Sequence, residues 1–356
     1  MKHYFFLFIL LTGASCSSEK QTTKESHSSI DQNITYAEHF QISKKDGEMI
    51  LTILNPDNGK VQHTFKKSDF NQQQLPTIIA LSSTHIGMLE KLNKAEFVKG
   101  ISNIDYVANA TVKTNFTKGK VIALGEESNI PLEQVVASKA KIIMYSGFGK
   151  SFPHQQQLEQ LGIICMPNYD WRENHPLGKA EWIKVFGFIY NCETAANDYF
   201  NKLEKEYLQL VEKAAKLTVS KPLMSGNVFG DAWYTPAGES YNALLFKDAH
   251  ISYNYSKTTG TGSLSLNLEK VLSENIQCAY WINPGAGSLK ELSTMNPKAK
   301  LFDAFKSKKV YCYTKSGNNF WEMSAIEPHH VLSDLIQITH PEVELNNKLY
   351  FYSQLE

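Results

Sequence analysis

Arginine is almost absent from this chain. Of 36 Lys and Arg residues only Arg172 is an arginine. Other absences narrow the reading. The formal net charge is zero, which removes any bulk electrostatic reason to expect nucleic acid as a partner. There are five cysteines, with no two at zinc-finger or redox spacing. No G-x-S-x-G, P-loop or H-E-x-x-H occurs, and no G-x-G-x-x-G follows a strand pattern. The continuous apolar run Tyr4–Leu11 (YFFLFILL) falls short of the roughly 20 residues that span a bilayer.

What remains is a chain with 42% apolar residues over 356 positions, enough for one large or two ordinary cores. A basic Met1-Lys2-His3 precedes the apolar run, and Thr12-Gly13-Ala14-Ser15 leads into Cys16. The stretch resembles a bacterial lipoprotein signal, in which the cysteine is lipidated, although Gly13 stands where such signals usually carry Leu. An ordinary signal peptide with an incidental Cys16 is the alternative. The expected organisation is a signal over 1–16 and a polar tether over 17–36. A first lobe follows over 37–192, then a linking helix over 193–217 and a second lobe over 218–356. Cys165, Cys278 and Cys312 sit in apolar runs and read as buried thiols. Cys192 completes the set, and sequence alone pairs none of them.

Local patterning predicts the elements. Alternation around Pro56-Asp57-Asn58-Gly59 predicts a hairpin. From Thr77 onward short β-branched runs alternate with helical stretches. Strands are expected at Thr77–Leu81, Val98–Ile101, Lys141–Tyr145 and Ile163–Met166, and helices at Thr84–Leu92, Leu132–Ser138 and His154–Leu161. Such continuous runs suit a parallel sheet covered on both faces. Leu177–Tyr190 and Glu193–Leu217 read as helices, the second with apolar residues at spacings of three and four. Strand–helix alternation then resumes: a strand at Leu223–Phe229, a helix at Tyr241–Phe246, strands at Ala279–Ile282 and Val310–Tyr313, and a last helix at Pro328–Ile338. The fold class is therefore α/β, with two Rossmann-like lobes joined by one long rigid helix and preceded by a β-hairpin.

That order of segments resembles the periplasmic substrate-binding proteins of ABC importers for iron–siderophore complexes, cobalamin and haem. The resemblance is carried by Thr77–Leu92 (TIIALSSTHIGMLEKL), Asn129–Tyr145 (NIPLEQVVASKAKIIMY) and its counterpart Leu266–Ile282 (LNLEKVLSENIQCAYWI). Trp233–Tyr241 (WYTPAGESY), read as the second-lobe ligand loop, and Asn319–Leu332 (NFWEMSAIEPHHVL) complete it. It implies a receptor rather than an enzyme, exported and lipid-anchored, likewise expected to be monomeric and without an intrinsic cofactor. The cargo expected is a ferric siderophore, with cobalamin next and haem or a naked divalent metal as further alternatives. An exported α/β hydrolase is the rival of a different class. The resemblance also implies an ABC permease partner in the inner membrane, docked through one helix-start glutamate per lobe, Glu133 and Glu269.

In parallel sheets ligands lie beyond the carboxyl ends of the strands. Together with the resemblance, that rule selects Ser83, His85, Tyr145, Phe148, Lys150, Tyr169, Trp171, Arg172, Trp233, Tyr234 and Trp321 as ligand-binding candidates. Aromatic faces with a few polar groups suit a large, flat, partly apolar ligand. Arg172 is assigned to an anionic part of the ligand, because a planar guanidinium grips carboxylates in a way lysine does not. A local pair with Asp170 or Glu173 is the alternative. His85 or Tyr145 is the axial donor that a haem reading requires.

Overall fold

The computed structural model describes residues 34–70, 73–148, 151–313, 319–343, 345 and 348–356. Cys16, the apolar leader and nearly all of the tether lie outside them, as does Lys150.

The described chain begins with a three-stranded antiparallel sheet in the order β1 (Phe40–Lys45), β2 (Glu48–Leu54), β3 (Val61–Lys66). The expected hairpin is β2–β3. A second turn was missed: Asp46 and Gly47 both take positive φ, 52° and 84°, as a two-residue hairpin turn requires. Pairing of Phe40 with Ile53 and of Ile42 with Leu51 puts all four side chains in the core. Phe40 packs on Trp182 with ring centroids 4.9 Å apart.

Next comes a run of strands and helices: β4 (Ile78–Ala80), α1 (Ser83–Lys91), β5 (Val98–Ile101), α2 (Ala110–Thr117), β6 (Ile122–Ala123), α3 (Leu132–Ala137), β7 (Ile142–Tyr145), α4 (Gln155–Gln160) and β8 (Ile164–Pro167). The strands form a five-stranded parallel sheet in the order β6-β5-β4-β7-β8. Strand residues alternate between its two faces. Ile78, Ala80, Ile142 and Met144 join the large central core, whereas Ile79, Leu81, Ile143 and Tyr145 join a separate cluster on the other side. Both faces are thus apolar, which is why these strands read as unbroken hydrophobic runs.

Two buried helices, α5 (Pro176–Glu181) and α6 (Ile183–Ile189), lead into α7 (Glu193–Ala215). The 23 residues of α7 extend about 34 Å. Its buried residues Ala196, Phe200, Leu203, Tyr207 and Ala214 form one stripe. The helix packs on α6 before it and on the chain's last helix after it. The Tyr207 hydroxyl donates to Asp248 Oδ2 at 2.6 Å, tying α7 to the second half.

That half contains β9 (Leu223–Ser225), β10 (Asn227–Phe229), β11 (Ala232–Pro236), α8 (Tyr241–Asp248), β12 (Ser263–Leu266), α9 (Leu268–Asn275), β13 (Tyr280–Ile282), α10 (Leu289–Met295), α11 (Asp303–Lys306), β14 (Val310–Cys312), α12 (Phe320–Met323), α13 (Pro328–Thr339) and β15 (Ser353–Gln354). Strands β9, β13 and β14 are parallel, and β15 closes the sheet antiparallel in the order β15-β14-β13-β9. The expected single strand Leu223–Phe229 is two strands belonging to different sheets. Gly226 breaks it at φ 83°, where an added Cβ would lie 1.8 Å from the Tyr234 carbonyl oxygen. Beyond the break, β10, β11 and β12 form an antiparallel sheet. Among the described residues no helix is long and apolar enough to cross a membrane.

Candidate ligand-binding rim

In the five-stranded sheet the chain runs outward from β4 to β5 and β6, then returns on the other side through β7 and β8. The strand order therefore reverses between β4 and β7, the position where open α/β sheets hold ligands. The loops leaving these strands at their carboxyl ends are Leu81–Ser83 and Ser146–Phe148. The Asn168–Glu173 loop of β8 lies next to them.

Each loop is fixed by hydrogen bonds. Ser82 caps α1 by accepting from Thr84 N at 3.3 Å. The Glu127 carboxylate accepts from Ser146 N and Gly147 N at 2.7 and 2.9 Å, a role sequence reasoning missed. Gly147 has φ 69°, and a Cβ there would stand 2.5 Å from the Tyr169 ring, so the β7 loop lies directly on that ring. Trp171 Nε1 donates to Ser146 O at 2.6 Å, and the Phe148 and Trp171 centroids are 4.6 Å apart. These two rings remain 70% and 37% exposed, an apolar shelf open to solvent at the strand ends.

The lone arginine stands beside that shelf. Arg172 Nη2 donates to Asp57 Oδ1 at 2.8 Å, and its guanidinium carbon lies 5.3 Å from the Trp171 ring centroid. It pairs with neither sequence neighbour. Asp170 is turned inward, where burial raises its pKa, opposed by the Thr84 hydroxyl and the charge of Lys179. Glu173 is buried as well, accepting from Glu38 N at 2.9 Å, His39 N at 3.1 Å and Trp182 Nε1 at 3.0 Å. Burial outweighs these donors and pushes Glu173 up to about 7. Glu181, also buried, accepts from Thr35 N at 3.0 Å, from Tyr36 N and Ala37 N at 2.8 Å, and from Lys184 Nζ at 2.7 Å. Five successive backbone N–H groups, residues 35–39, are thus held by two carboxylates. The Tyr169 hydroxyl donates to Gln62 Oε1 at 2.8 Å. A cavity of about 430 Å³ opens between Asp57 and Gln62 on one side and Phe148, Tyr169, Trp171 and Arg172 on the other.

Trp321 approaches from the second half. Gly87 lets α1 meet α12 without a side chain between them; a Cβ there would lie 2.0 Å from Glu322 O. Ser83 Oγ donates to Trp321 O at 2.9 Å. The buried Glu322 carboxylate accepts from Ala108 N and Asn109 N at 2.7 and 3.2 Å. Trp321 is half exposed and meets Tyr313 edge-on at 5.3 Å.

Several sequence candidates are placed elsewhere. His85 points into the core, without a partner for either ring nitrogen among the described residues, and burial lowers its pKa to about 3. Tyr145 belongs to the far face of the sheet, stacked on Phe152 at 4.3 Å. Trp233 is 1% exposed and packs on Trp281 and Phe302. The supposed ligand loop that carries it is strand β11, whose pleat turns Trp233 inward and its neighbour Tyr234 outward, 43% exposed. Glu133 and Glu269 are exposed in the first turns of α3 and α9, and Glu269 Oε1 lies 3.5 Å from Lys298 Nζ. Among the described residues no three His, Cys, Asp or Glu side chains gather as a metal site. Burial raises the Cys165 and Cys278 thiols to about 12.

Comparison with known proteins places this geometry. A family model described as periplasmic binding protein matches residues 78–316, starting at the first residue of β4. An uncharacterized lipoprotein of Methanocaldococcus jannaschii is 27% identical over 293 residues, 78% of this chain and 68% of that protein. A periplasmic heme binding protein from Pseudomonas aeruginosa superposes with TM-score 0.61 at 12% identity, over 79% of this chain and 99% of that one. An ABC-type Fe3+-hydroxamate transport system protein from Saccharomonospora viridis superposes with TM-score 0.57 at 17% identity, over 81% and 98%.

Proposed function

Starting from the periplasmic binding protein family, to which this chain belongs, we propose that the protein captures a ferric siderophore and delivers it to an ABC importer. The family consists of solute-binding proteins rather than enzymes. The observation that carries the choice of cargo is the open shelf of Phe148 and Trp171 with Arg172 beside it, at the carboxyl ends of β7 and β8. Exposed aromatic faces suit the organic part of a chelate, and a guanidinium suits an anionic edge. Trp321, held next to Ser83, supplies an aromatic wall from the other lobe, and Lys150, outside the described residues, is a further candidate cation only by its place in the sequence after Phe148. Cobalamin is the second choice, since the same shelf suits a large planar ligand. A haem reading loses support, because the two axial donors proposed for it, His85 and Tyr145, are both buried away from the rim. The name of the archaeal lipoprotein supports lipidation at Cys16 and hence a membrane anchor. Glu133 and Glu269 dock the permease in this reading, and α7 limits closure of the two lobes to a small movement.

Titration of the apo protein with ferric siderophores, cobalamin and haem, followed by tryptophan fluorescence, tests the proposal. Saturable quenching by a ferric siderophore is expected, weakened by Arg172→Ala and by Arg172→Lys. Absence of any response to the ferric chelates defeats the cargo assignment, and unchanged affinity in both variants removes Arg172 from the site.

A further inference from the structure

The segment before Ile78 lies outside the family match, yet it forms one wall of the cavity beside Arg172. We propose that this N-terminal sheet is part of the binding site, and that Asp57 holds Arg172 in place of a ligand carboxylate that displaces it. The inference rests on the reading of the rim as a chelate site.

Three observations carry it. First, the ion pair is not what fastens the sheet. Residues 35–39 are bound through their backbone N–H groups to the buried Glu173 and Glu181, and β1 packs in the core through Phe40 and Ile42. Asp57 can leave Arg172 while its sheet stays docked. Second, the pair is open to water: the side chains of Arg172 and Asp57 are 35% and 74% exposed, a setting in which ion pairs are weak. Third, the contact is a single one. A guanidinium offers five N–H donors, and among the described residues its one hydrogen bond goes to one oxygen of Asp57. A chelate carboxylate that engages the fork with both oxygens makes the stronger, charge-assisted contact. The cavity already supplies the rest of such a site, with Gln62 as a polar group and the Trp171 ring centroid 5.3 Å from the guanidinium carbon.

The ligand class is therefore a carboxylate-bearing ferric chelate, with Asp57 as a built-in competitor that lowers its affinity. A neutral chelate has no carboxylate to exchange and is indifferent to Asp57.

The experiment compares wild type, Asp57→Asn, Arg172→Gln and the double variant. Each is titrated with iron(III) citrate as the carboxylate probe and with neutral ferrichrome, by tryptophan fluorescence. Amide hydrogen exchange at residues 35–39 verifies that the sheet remains docked. Asp57→Asn is expected to tighten iron(III) citrate binding by roughly three- to five-fold, the scale of an exposed ion pair, with ferrichrome unchanged. In the Arg172→Gln background the gain is expected to vanish. An unchanged or weakened citrate affinity in Asp57→Asn overturns the proposal. So does an equal gain for both chelates, or a gain that persists without Arg172, since either marks a general charge effect. Failure of every variant to bind either chelate is a different result: it removes the chelate reading itself, and this inference with it.

Discussion

The two ends of the described chain are fastened by the same device in different places. At the start, Glu173 and Glu181 accept the backbone N–H groups of residues 35–39. At the end, the buried Asp334 of α13 accepts those of Tyr350, Phe351 and Tyr352 at 2.8, 2.7 and 3.0 Å. Both devices satisfy polar backbone inside the protein without regular pairing. The C-terminal one delivers β15 to the edge of the second sheet, where it completes structure. The N-terminal one is built from Glu173, in the loop that also carries Trp171 and Arg172, and from Glu181 at the end of α5, and the sheet it holds lies against the rim. If the rim is the ligand site, the N-terminal fastening, which shares the Glu173 loop with Trp171 and Arg172, couples an added segment to binding, whereas the Asp334 fastening does not.

The sharpest way to break this comparison is to cut each fastening. Glu181→Ala withdraws the acceptor of three N–H groups and the carboxylate that Lys184 touches, and is expected to cost about 3–5 kcal/mol of stability. Asp334→Ala should cost a similar or somewhat smaller amount. Chemical unfolding measures both. The distinguishing readout is Trp171: chelate-induced quenching should weaken in Glu181→Ala and persist in Asp334→Ala at temperatures where both remain folded. Equal disturbance of binding in the two variants would show that the N-terminal fastening has no special relation to the rim.

A second, smaller effect separates the two ends by pH. Burial raises Glu173 to about 7 from its ordinary 4.5, and Asp334 to about 6 from 3.8. A carboxyl whose pKa is raised on folding favours the folded state most when protonated. Its contribution is full below the unfolded value and is lost as pH climbs through the folded one. For Glu173 that window runs from about 4.5 to 7, for Asp334 from about 3.8 to 6. Through Glu173, unfolding free energy should therefore fall by about 3 kcal/mol between pH 5 and 7, against an opposite contribution from the buried His85 and His329, whose lowered pKa values favour folding as pH rises toward 6.5. The difference in unfolding free energy between wild type and Glu173→Gln should therefore still change with pH above pH 6, whereas that between wild type and Asp334→Asn should change mainly below it. A Glu173→Gln profile parallel to wild type above pH 6 would place the titration elsewhere.

These contrasts also show what a one-dimensional reading sees. The runs at Ile78–Ala80 and Ile142–Tyr145 were legible because both faces of their sheet are buried, and α7 was legible because its buried stripe repeats at helical spacing. Strand β6, two residues long, is too short to show a period. The break at Gly226 is set by the Tyr234 carbonyl, a contact that composition does not announce. At the rim, local pattern located the loops but not the direction of each side chain. Tyr145 and Trp233 follow the pleat into the cores, while Trp171 lies in a short helical turn and stays open. The partner of Arg172 was the least legible feature. Asp57 is 115 residues away, in a hairpin that the family pattern does not cover, and the charged neighbours Asp170 and Glu173 made a local pair plausible. Both are buried, which leaves the guanidinium for Asp57.

The smallest expected effect sharpens the comparison most finely. If the N-terminal sheet is fastened by Glu173 and Glu181, the Arg172–Asp57 pair contributes little to holding it. Asp57→Asn and Arg172→Lys should each shift unfolding free energy by less than about 1 kcal/mol, the usual limit for an exposed pair. The shift should shrink further in high salt, where surface charges are screened. A loss of several kcal/mol in either variant would make the pair a structural clamp, in conflict with its exposure. A near-zero loss leaves the lone arginine a part the fold does not need, in accord with the proposal that its five-donor planar fork serves a ligand.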